Sequence, residues 1–404
     1  MNSNKRIILL GDGMPDDPVK ELGGKTPLMA ANTPNMDTMA REGTAGMVKT
    51  VPEGYDAGSD VTNMGILGYD PRKYYTGRAP LEAAAMGIDL GPDDVAYRCN
   101  LVSLAANRSG VLMEDFTAGH IESGDAKKLI NSLNDSLGGK EIRFYSGVSY
   151  RHIMVWKNGI SEIETTPPHD IIGHDIKDFL PKGERSEKLR HITGEAQILL
   201  KQHSINKNRE AANKKAANSI WLWGQGKAPS MPKLEELRGL SGAMISAVDL
   251  MKGIGTLAGM EIVNVKGATG YIDTNYKGKA AAAIKALKEK DLVYLHVEAP
   301  DESGHEGSLE KKMKAIEDFD GKIVGPLLKE TARLGGRAMA LSDHRTPLSI
   351  RTHDSRPVPF AVWPKIGSGG GHASFDESIE RHTSIIFEEG YLLFEWFIDY
   401  SQGV

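Results

Sequence analysis

The feature that most restricts the fold is a series of short apolar runs that stop abruptly at small or acidic residues. These runs are IILL before Gly11 and Asp12, LVYLHV ahead of Asp301, AMAL before Ser342 and Asp343, and VPFAVW after His353. Apolar runs of this length, bounded by turn residues, predict strands buried on both faces. Residues 309–329 carry apolar side chains every three or four positions, which predicts a helix. Strands and helices therefore alternate, which is typical of a mostly parallel α/β sheet sandwiched by helices.

The chain is long enough for more than one domain. It has 404 residues, whereas single hydrophobic cores stop growing at about 250 to 300 residues. Residues 91–232 differ from the rest, because they contain the strand-like segment RFYSGVSYRHIMVW and a polar, charged helical region. We predict that they form a smaller α+β domain inserted into a catalytic domain made of residues 1–90 and 233–404. In mostly parallel α/β sheets, ligands bind beyond the carboxyl ends of the strands.

Charge and composition argue against several classes of partner. The formal net charge is -5, with 49 lysines and arginines against 54 aspartates and glutamates, so no positive excess favours nucleic acid. The single cysteine, Cys99, rules out an internal disulfide or a cysteine-based zinc cluster. The first apolar run predicts a strand and not a signal peptide, and no stretch reaches the roughly 18 apolar residues of a membrane span. We therefore expect a cytoplasmic protein whose partner is a small metabolite, with no nucleic acid and no membrane.

Candidate metal ligands lie next to the predicted strands. In DESGH, Asp301 and His305 are spaced i, i+4, so one helical turn would bring them to the same side. In SDHRTP, Asp343 and His344 are adjacent and are expected to point apart, so one segment could serve two ions about 3.5 to 4 Å from each other. The remaining candidates are Asp12, at the end of the first run, and His353, just before the last.

Ser59 is the candidate nucleophile. It precedes a helical pattern in the segment GSDVTNMGI, so it would lie at a helix N-terminus, where free N–H groups and the helix dipole favour an anionic oxygen. An arbitrary serine at such a place is more often a helix cap. The neighbouring candidate ligands favour catalysis here, because a divalent ion lowers the pKa of a hydroxyl that it binds.

The candidate carboxylates predict two divalent ions and a phosphate. Asp12, Asp301 and Asp343 would bring three negative charges against the four positive charges of two ions, which leaves about one positive charge for a serine alkoxide or a phosphate. Carboxylate and imidazole ligands without thiolates favour Mn²⁺ or Zn²⁺, with Mg²⁺ as a further option. The residues therefore predict metal-dependent phosphoryl transfer.

Several motifs together are similar to those of a known family. They are GDG near the start, TPLMAANTPNMDTMAREG, AGSD followed by NMGILGYDP, APDESGH, SDH and THDSRPVPF. In order and content they resemble the archaeal-type 2,3-bisphosphoglycerate-independent phosphoglycerate mutases of the alkaline phosphatase superfamily, over nearly the whole predicted catalytic domain. The resemblance implies an alkaline-phosphatase-like fold, and it implies interconversion of 3-phosphoglycerate and 2-phosphoglycerate through a phosphoserine at Ser59.

The resemblance also implies the ligands of each ion. One ion would be held by Asp12, Ser59, Asp343 and His344, and the other by Asp301, His305 and His353. His372, in SGGGHASFDE, is the rival of His353. The THDSRPVPF context favours His353.

The inserted domain resembles the family less closely. Cationic side chains that hold a phosphoglycerate are expected there, and Arg151, His152 and His169 are the candidates. Lys252, outside that domain, is a further candidate for the phosphate, with a solvated lysine as the alternative. Where archaeal mutases tend to have an arginine before glycine, this chain has Trp223 in NSIWLWGQGK, which leaves the substrate open.

Two alternatives remain open from the sequence. A bacterial branch of the same family is proposed to phosphorylate homoserine, so a homoserine-kinase-like phosphotransferase is the second hypothesis. GGKT at residues 23–26 does not support a P-loop, because Val19 occupies the place where that motif needs a glycine. The third hypothesis is a binding protein that kept the fold and lost activity. In an active enzyme, we expect the inserted domain to close over the site and exclude water.

Overall fold

The chain divides into two compact units. The computed structural model describes residues 5–108, 110–367 and 371–399. The larger unit contains residues 1–75 and 231–404, and the smaller unit contains residues 76–230. The sequence placed the two boundaries at 90/91 and 232/233, so the first structural boundary comes earlier.

The earlier boundary follows from the packing of the helix Arg78–Ala85. Its residues Ala79 and Ala83 share a hydrophobic cluster with Ala96 and Ile153, which belong to strands of the smaller unit. The helix therefore contributes to the core of the smaller unit.

The strands are numbered along the chain. They are β1 (Arg6–Gly11), β2 (Thr44–Val48), β3 (Val95–Asn107), β4 (Gly110–Asp115), β5 (Ile142–Tyr145), β6 (Arg151–Trp156), β7 (Ser219–Lys227), β8 (Gly242–Ile245), β9 (Glu261–Ile262), β10 (Leu292–Val297), β11 (Arg337–Leu341), β12 (Val358–Trp363) and β13 (Ile386–Phe387).

The α-helices are numbered in the same way. They are α1 (Pro27–Ala30), α2 (Pro34–Glu42), α3 (Ser59–Ile66), α4 (Pro71–Tyr74), α5 (Arg78–Ala85), α6 (Ser123–Leu137), α7 (Ser186–Gln202), α8 (Ser204–Ala211), α9 (Leu234–Arg238), α10 (Asp249–Leu257), α11 (Tyr276–Glu289), α12 (Ala299–Glu306), α13 (Leu309–Phe319), α14 (Gly325–Leu334) and α15 (Gly390–Asp399). A π-helical turn, Asp320–Val324, joins α13 to α14, so the predicted helix over residues 309–329 forms with a local irregularity.

The larger unit is built on a mostly parallel sheet. Among the described residues its strand order is β13-β2-β12-β11-β1-β10-β8-β9. Strand β1 lies parallel to both β10 and β11, and β10 lies parallel to β8, whereas β12 is antiparallel to β11 and β2. The four apolar runs form β1, β10, β11 and β12, and the predicted α/β fold class is confirmed.

The central strand β1 is buried on both faces of this sheet. Ile7, Ile8, Leu9 and Leu10 are all 0% exposed. Burying an aliphatic side chain of this size contributes about 1.5 to 3 kcal/mol. Since successive side chains of a strand point to opposite faces, a continuous apolar run is what a sheet covered on both sides requires.

The smaller unit is an antiparallel sheet with helices. Its strands have the order β4-β3-β6-β5, and β7 pairs with β3. The strand-like segment identified in the sequence forms β5 and β6, and the charged region forms α7 and α8. Cys99 in β3 is buried, and burial raises the pKa of its thiol, as expected for an unreactive cysteine. None of the helices described is both long and apolar enough to cross a bilayer.

Candidate active site

Three neighbouring strands carry the candidate ligands to one edge of the sheet. Asp12 follows β1, Asp343 follows β11, and Asp301 lies in the first turn of α12, just after β10. Because these strands are parallel neighbours, their carboxyl ends meet. This arrangement brings together residues that are about 290 to 330 positions apart in the sequence, as expected for a doubly wound sheet.

Two groups of side chains could each hold a metal ion. One consists of Asp12, Asp343 and His344, and the other of Asp301, His344 and His353. Within each group the potential ligand atoms lie within 4.8 Å of one another. We call them the buried group and the open group, and His344 belongs to both.

The buried group is sealed from solvent. Asp12 is 1% exposed, and Asp343 and His344 are 0% exposed. His344 Nε2 lies 3.5 Å from Asp12 Oδ1 and 3.4 Å from Asp343 Oδ2. The sequence predicted that the adjacent Asp343 and His344 would point apart toward different ions. In the structure their side chains approach each other, and His344 is the residue that links the two groups.

The open group includes His305 as a close neighbour. In α12, His305 Nε2 lies 3.2 Å from Asp301 Oδ2, as the i, i+4 spacing predicted. His353 Nε2 lies 3.5 Å from Asp301 Oδ1 and 3.0 Å from His305 Nε2. The His353 ring also stacks on that of His344, with 3.9 Å between ring centroids. Two imidazoles thus converge on one carboxylate, and this geometry suits a shared cation.

Ser59 lies beside the buried group. It is the first residue of α3, after the N-cap Gly58, and no side-chain cap bond forms there. Its Oγ lies 3.1 Å from His344 Nε2. The Ser59 hydroxyl therefore points toward the candidate ligands and not back onto its own helix, and the N-terminus of α3 favours negative charge at this oxygen.

The ionisation of the three carboxylates shows how strongly the site needs positive charge. Burial, and then the neighbouring Asp343 and Asp301, raise the pKa of Asp12 well above its ordinary value. Burial would also raise the pKa of Asp301, but hydrogen bonds with His305 and His353 outweigh it and hold that pKa well below the usual range. Hydrogen bonding to Asp301 raises the pKa of His305 to about 9. Three carboxylates buried this close together repel one another when ionised, so the site favours bound positive charge.

The donor atoms fit divalent ions. Asp12 Oδ1 is buried and has no hydrogen-bond partner among the described residues. An unsatisfied buried carboxylate oxygen costs free energy, and a cation at this place would remove that cost. Carboxylate oxygens and imidazole nitrogens are ligands for Mn²⁺, Zn²⁺ and Mg²⁺. The structure therefore contains two groups suited to divalent metals.

Residues that the sequence did not point to hold the candidate ligands in place. Asn63 Nδ2 donates to Asp343 Oδ2 at 2.9 Å and to the Ser59 carbonyl at 2.9 Å, and Tyr294 OH donates to Asn63 Oδ1 at 2.6 Å. A histidine inside the buried strand β10, His296, lies 3.0 Å from Asp12 Oδ2. Burial lowers the pKa of His296 to about 4. A polar residue in an apolar run was the only signal of this role in the sequence.

Thr346 bonds to both groups. Its Oγ1 donates to Asp301 Oδ1 and lies 3.2 Å from His344 Nδ1. A hydroxyl carries one proton, so the bond to the carboxylate uses the hydroxyl proton and His344 donates from Nδ1. This leaves His344 Nε2, which faces Ser59 and Asp12, as a lone pair suited to a metal.

The candidate substrate residues of the smaller unit differ in exposure. Arg151 lies over the ring of Tyr150, with 6.0 Å from its Cζ to the ring centroid. The side chain of His169 is 47% exposed. His152 is 1% exposed, the Gly147 N–H donates to its Nδ1, and burial lowers its pKa to about 3. A contact between His152 and a substrate would require this ring to leave the core.

Trp223 takes part in a cationic cluster that the sequence missed. The Arg98 guanidinium lies over its indole ring at 4.2 Å from the centroid. Glu82 pairs with Arg98 at 3.0 Å and with Arg78 at 3.2 Å. The tryptophan that replaces the expected arginine is thus paired across the sheet with an arginine from β3, and Glu82 brings the guanidinium groups of Arg78 and Arg98 together.

The two remaining candidates lie in the larger unit. Lys252 in α10 forms an ion pair with Asp249 at 3.2 Å, and its side chain is 22% exposed. His353 belongs to the open group. His372, its rival, instead donates its backbone N–H to the Ala40 carbonyl and is in neither group.

Comparison with known proteins connects this geometry to one family. A family model described as 2,3-bisphosphoglycerate-independent phosphoglycerate mutase matches residues 40–206. A Geobacter sulfurreducens protein named "Probable 2,3-bisphosphoglycerate-independent phosphoglycerate mutase" is 52% identical over 397 residues, covering 98% of this chain and 100% of that protein. A Methanosarcina barkeri protein named 2,3-bisphosphoglycerate-independent phosphoglycerate mutase is 52% identical over 382 residues, covering 93% of this chain and 95% of its own.

Two solved structures resemble this chain over nearly its whole length. A Pyrococcus horikoshii protein matches with a TM-score of 0.82 at 27% identity, over 100% of both chains. The cofactor-independent phosphoglycerate mutase of Thermoplasma acidophilum matches with a TM-score of 0.66 at 27% identity, covering 98% of this chain and 99% of its own. The homoserine-kinase alternative finds no support in these relatives. The chain belongs to the 2,3-bisphosphoglycerate-independent phosphoglycerate mutase family.

Proposed function

We propose that this protein is an isomerase that interconverts 3-phosphoglycerate and 2-phosphoglycerate through a phosphoserine at Ser59, with two divalent ions. The observation that carries the proposal is the position of the Ser59 hydroxyl. It lies at the start of α3, 3.1 Å from His344 Nε2, and His344 belongs to both candidate metal groups. Two relatives that are 52% identical to this chain over nearly its whole length carry the mutase name.

The candidate ligands divide between two ions. Asp12, Asp343 and His344, with Ser59, would hold one ion, and Asp301, His305 and His353 would hold the other. When bound, such ions stabilise negative charge on a phosphoryl group and on an attacking oxygen. Their mixed carboxylate and imidazole character favours Mn²⁺ or Zn²⁺ over Mg²⁺.

The chain's own residues then carry out two transfers. Ser59 Oγ loses its proton and attacks the substrate phosphorus, the bond from phosphorus to the glycerate oxygen breaks, and that oxygen takes up one proton, so no net proton is gained or lost. After the glycerate turns, its other hydroxyl attacks the phosphoserine, and Ser59 regains its hydroxyl. No nucleotide is consumed, because the phosphoryl group begins and ends on the same molecule.

A substrate carboxylate and phosphate need cationic partners. In the smaller unit, Arg151, Arg78 and Arg98 supply guanidinium groups, and His169 supplies an exposed imidazole. In the larger unit, Lys252 is the candidate. Within the smaller unit, Glu82 would keep Arg78 and Arg98 in a defined geometry.

The test is an assay with 3-phosphoglycerate, Mn²⁺ and no nucleotide, followed by phosphorus NMR. Wild-type protein should form 2-phosphoglycerate, and Ser59→Ala should lower the rate by more than about 1,000-fold, since the nucleophile is lost. Ser204→Ala is the control, because Ser204 also begins a helix but lies in the smaller unit and is exposed. EDTA should stop turnover and Mn²⁺ should restore it.

Two results would contradict the proposal. One is a Ser59→Ala enzyme that retains a rate near that of the wild type. The other is wild-type protein that folds and binds metal but forms no 2-phosphoglycerate, which would favour a protein that kept the fold without the activity.

A further inference from the structure

His296 is a buried imidazole in direct contact with a candidate metal ligand. It lies near the end of β10 and is 1% exposed, and its Nε2 is 3.0 Å from Asp12 Oδ2. Strand β10 pairs with β1, and His296 is the register partner of Leu10. The ring is therefore held beside the carboxylate by the sheet itself.

The hydrogen bonds around His296 define its tautomer. A carboxylate that binds a metal is ionised and can only accept, so in the metal-loaded protein Nε2 carries the proton that faces Asp12. Nδ1 then needs a donor, and Ser246 Oγ lies 3.2 Å from it. The Ser246 oxygen already accepts from the Val248 N–H at 3.0 Å, so its hydroxyl proton is available for Nδ1. The chain of donors runs from Ser246 through His296 to Asp12.

Asp12 is attached to β10 at two points. Its backbone N–H donates to the Val297 carbonyl at 2.9 Å, and its Oδ2 faces His296. The other oxygen, Oδ1, has no hydrogen-bond partner among the described residues. It lies 3.5 Å from His344 Nε2. One oxygen is thus held by the protein and the other is free.

We propose that His296 is a positioning residue that turns the Asp12 carboxylate so that Oδ1 faces a divalent cation. The inference rests on the metal role of Asp12 in the proposed function. Partners that hydrogen-bond to a metal ligand orient it and raise its affinity, and their loss typically costs about 10 to 100-fold in metal binding. Lys279 also holds His296 in place, since its Nζ donates to the His296 backbone carbonyl at 3.1 Å.

The experiment is calorimetric titration of the metal-stripped full-length protein with Mn²⁺. His296→Leu removes the donor and should weaken one of two Mn²⁺ sites by about 10 to 100-fold while the other site changes little. His296→Gln places an amide N–H near the position of Nε2 and should restore most of the affinity. Tyr97→Phe is the matched control, because it also removes a buried hydrogen-bond donor, but from the smaller unit and outside the candidate site, and its Mn²⁺ affinity should equal that of the wild type.

Two outcomes would overturn the positioning role. They are wild-type Mn²⁺ affinity in His296→Leu, and a loss in His296→Gln as large as that in His296→Leu. Should His296→Leu fail to fold, Ser246→Ala carries the test: a several-fold weaker site supports the donor chain, and unchanged affinity contradicts it. A wild-type protein that binds no Mn²⁺ would instead contradict the proposed function, so the two failures are distinguishable.

Discussion

The buried group and the open group use similar residues in different surroundings. Asp12, Asp343 and His344 are at most 1% exposed. Their side chains form hydrogen bonds with Asn63, His296 and Thr346. In the open group, the side chains of His305 and His353 are 35% and 26% exposed. Electrostatic interactions are stronger where water is excluded, so we expect the buried group to hold its ion more tightly.

The difference also indicates a division of labour. The Ser59 hydroxyl lies against the buried group, where an ion would be permanent and would act on the nucleophile. We expect the open group to exchange its ion and to admit a substrate oxygen, because catalytic metal sites keep a coordination position free of protein ligands. The predictions below on activity and metal binding test this contrast.

The largest effect is expected from a change in the buried group. Asp343→Asn keeps the size of the side chain but removes a charge among fully buried ligands, so the ion beside Ser59 should be lost. We expect the mutase rate to fall by more than about 1,000-fold, equivalent to about 4 kcal/mol of transition-state stabilisation. Excess Mn²⁺ should restore little of it.

The matched change in the open group is His305→Gln. In the proposed function His305, whose side chain is 35% exposed, would share an ion with Asp301 and His353, so we expect a loss of about 10 to 100-fold that a millimolar excess of Mn²⁺ largely reverses. Steady-state rates across a Mn²⁺ series measure both variants. Equal losses with equal rescue would show that the two groups do not differ in function.

The next effect concerns stability. Lys312 is 0% exposed, and its Nζ donates to Asp16 Oδ2 at 2.6 Å and to the Thr346 carbonyl at 2.7 Å. Lys312→Met would leave the Asp16 carboxylate buried and unpaired, so the free energy of unfolding should fall by about 3 to 5 kcal/mol. Urea unfolding of the metal-stripped protein measures this loss without a contribution from bound ions.

Lys314→Met is the control for that experiment. Lys314 lies on the same helix, but its side chain is 57% exposed and it pairs with Asp318, so its loss should cost less than about 1 kcal/mol. Similar unfolding curves for the two variants would show that the buried ion pair does not stabilise the segment that carries His344.

The sequence predicted the residues whose positions follow from the sheet. Asp12 and Asp343 end apolar runs, and parallel strands bring such ends together. Asp301 and His305 follow from the helical period, and the family resemblance favoured His353 over His372. Apart from the choice of His353, these inferences needed only local patterns and the topology that they imply.

The residues that support the ligands could not be predicted in this way. His296 and Lys312 lie in segments whose patterns indicate burial, where a polar residue has no local signature of its partner. The contacts from His296 to Asp12 and from Lys312 to Asp16 each span more than 280 positions. The sequence did not predict that His344 belongs to both groups. The adjacent residues Asp343 and His344 were expected to point apart, whereas the turn after β11 brings both side chains to one place.

The smallest effect is expected at the hydroxyl that joins the two groups. Thr346 Oγ1 donates to Asp301 in the open group and lies 3.2 Å from His344 Nδ1, which belongs to both groups. Thr346→Val keeps the shape but leaves the His344 Nδ1–H without a partner and removes one hydrogen bond from Asp301 Oδ1, which keeps His353 as a neighbour. Both Mn²⁺ sites should therefore weaken by about tenfold, unlike His296→Leu, which should affect one. Thr346→Ser keeps the hydroxyl and should retain near-normal affinity in the same calorimetric titration. If Thr346→Val weakened one site alone, the hydroxyl would serve that group only, and the link between the two sites would be His344 by itself.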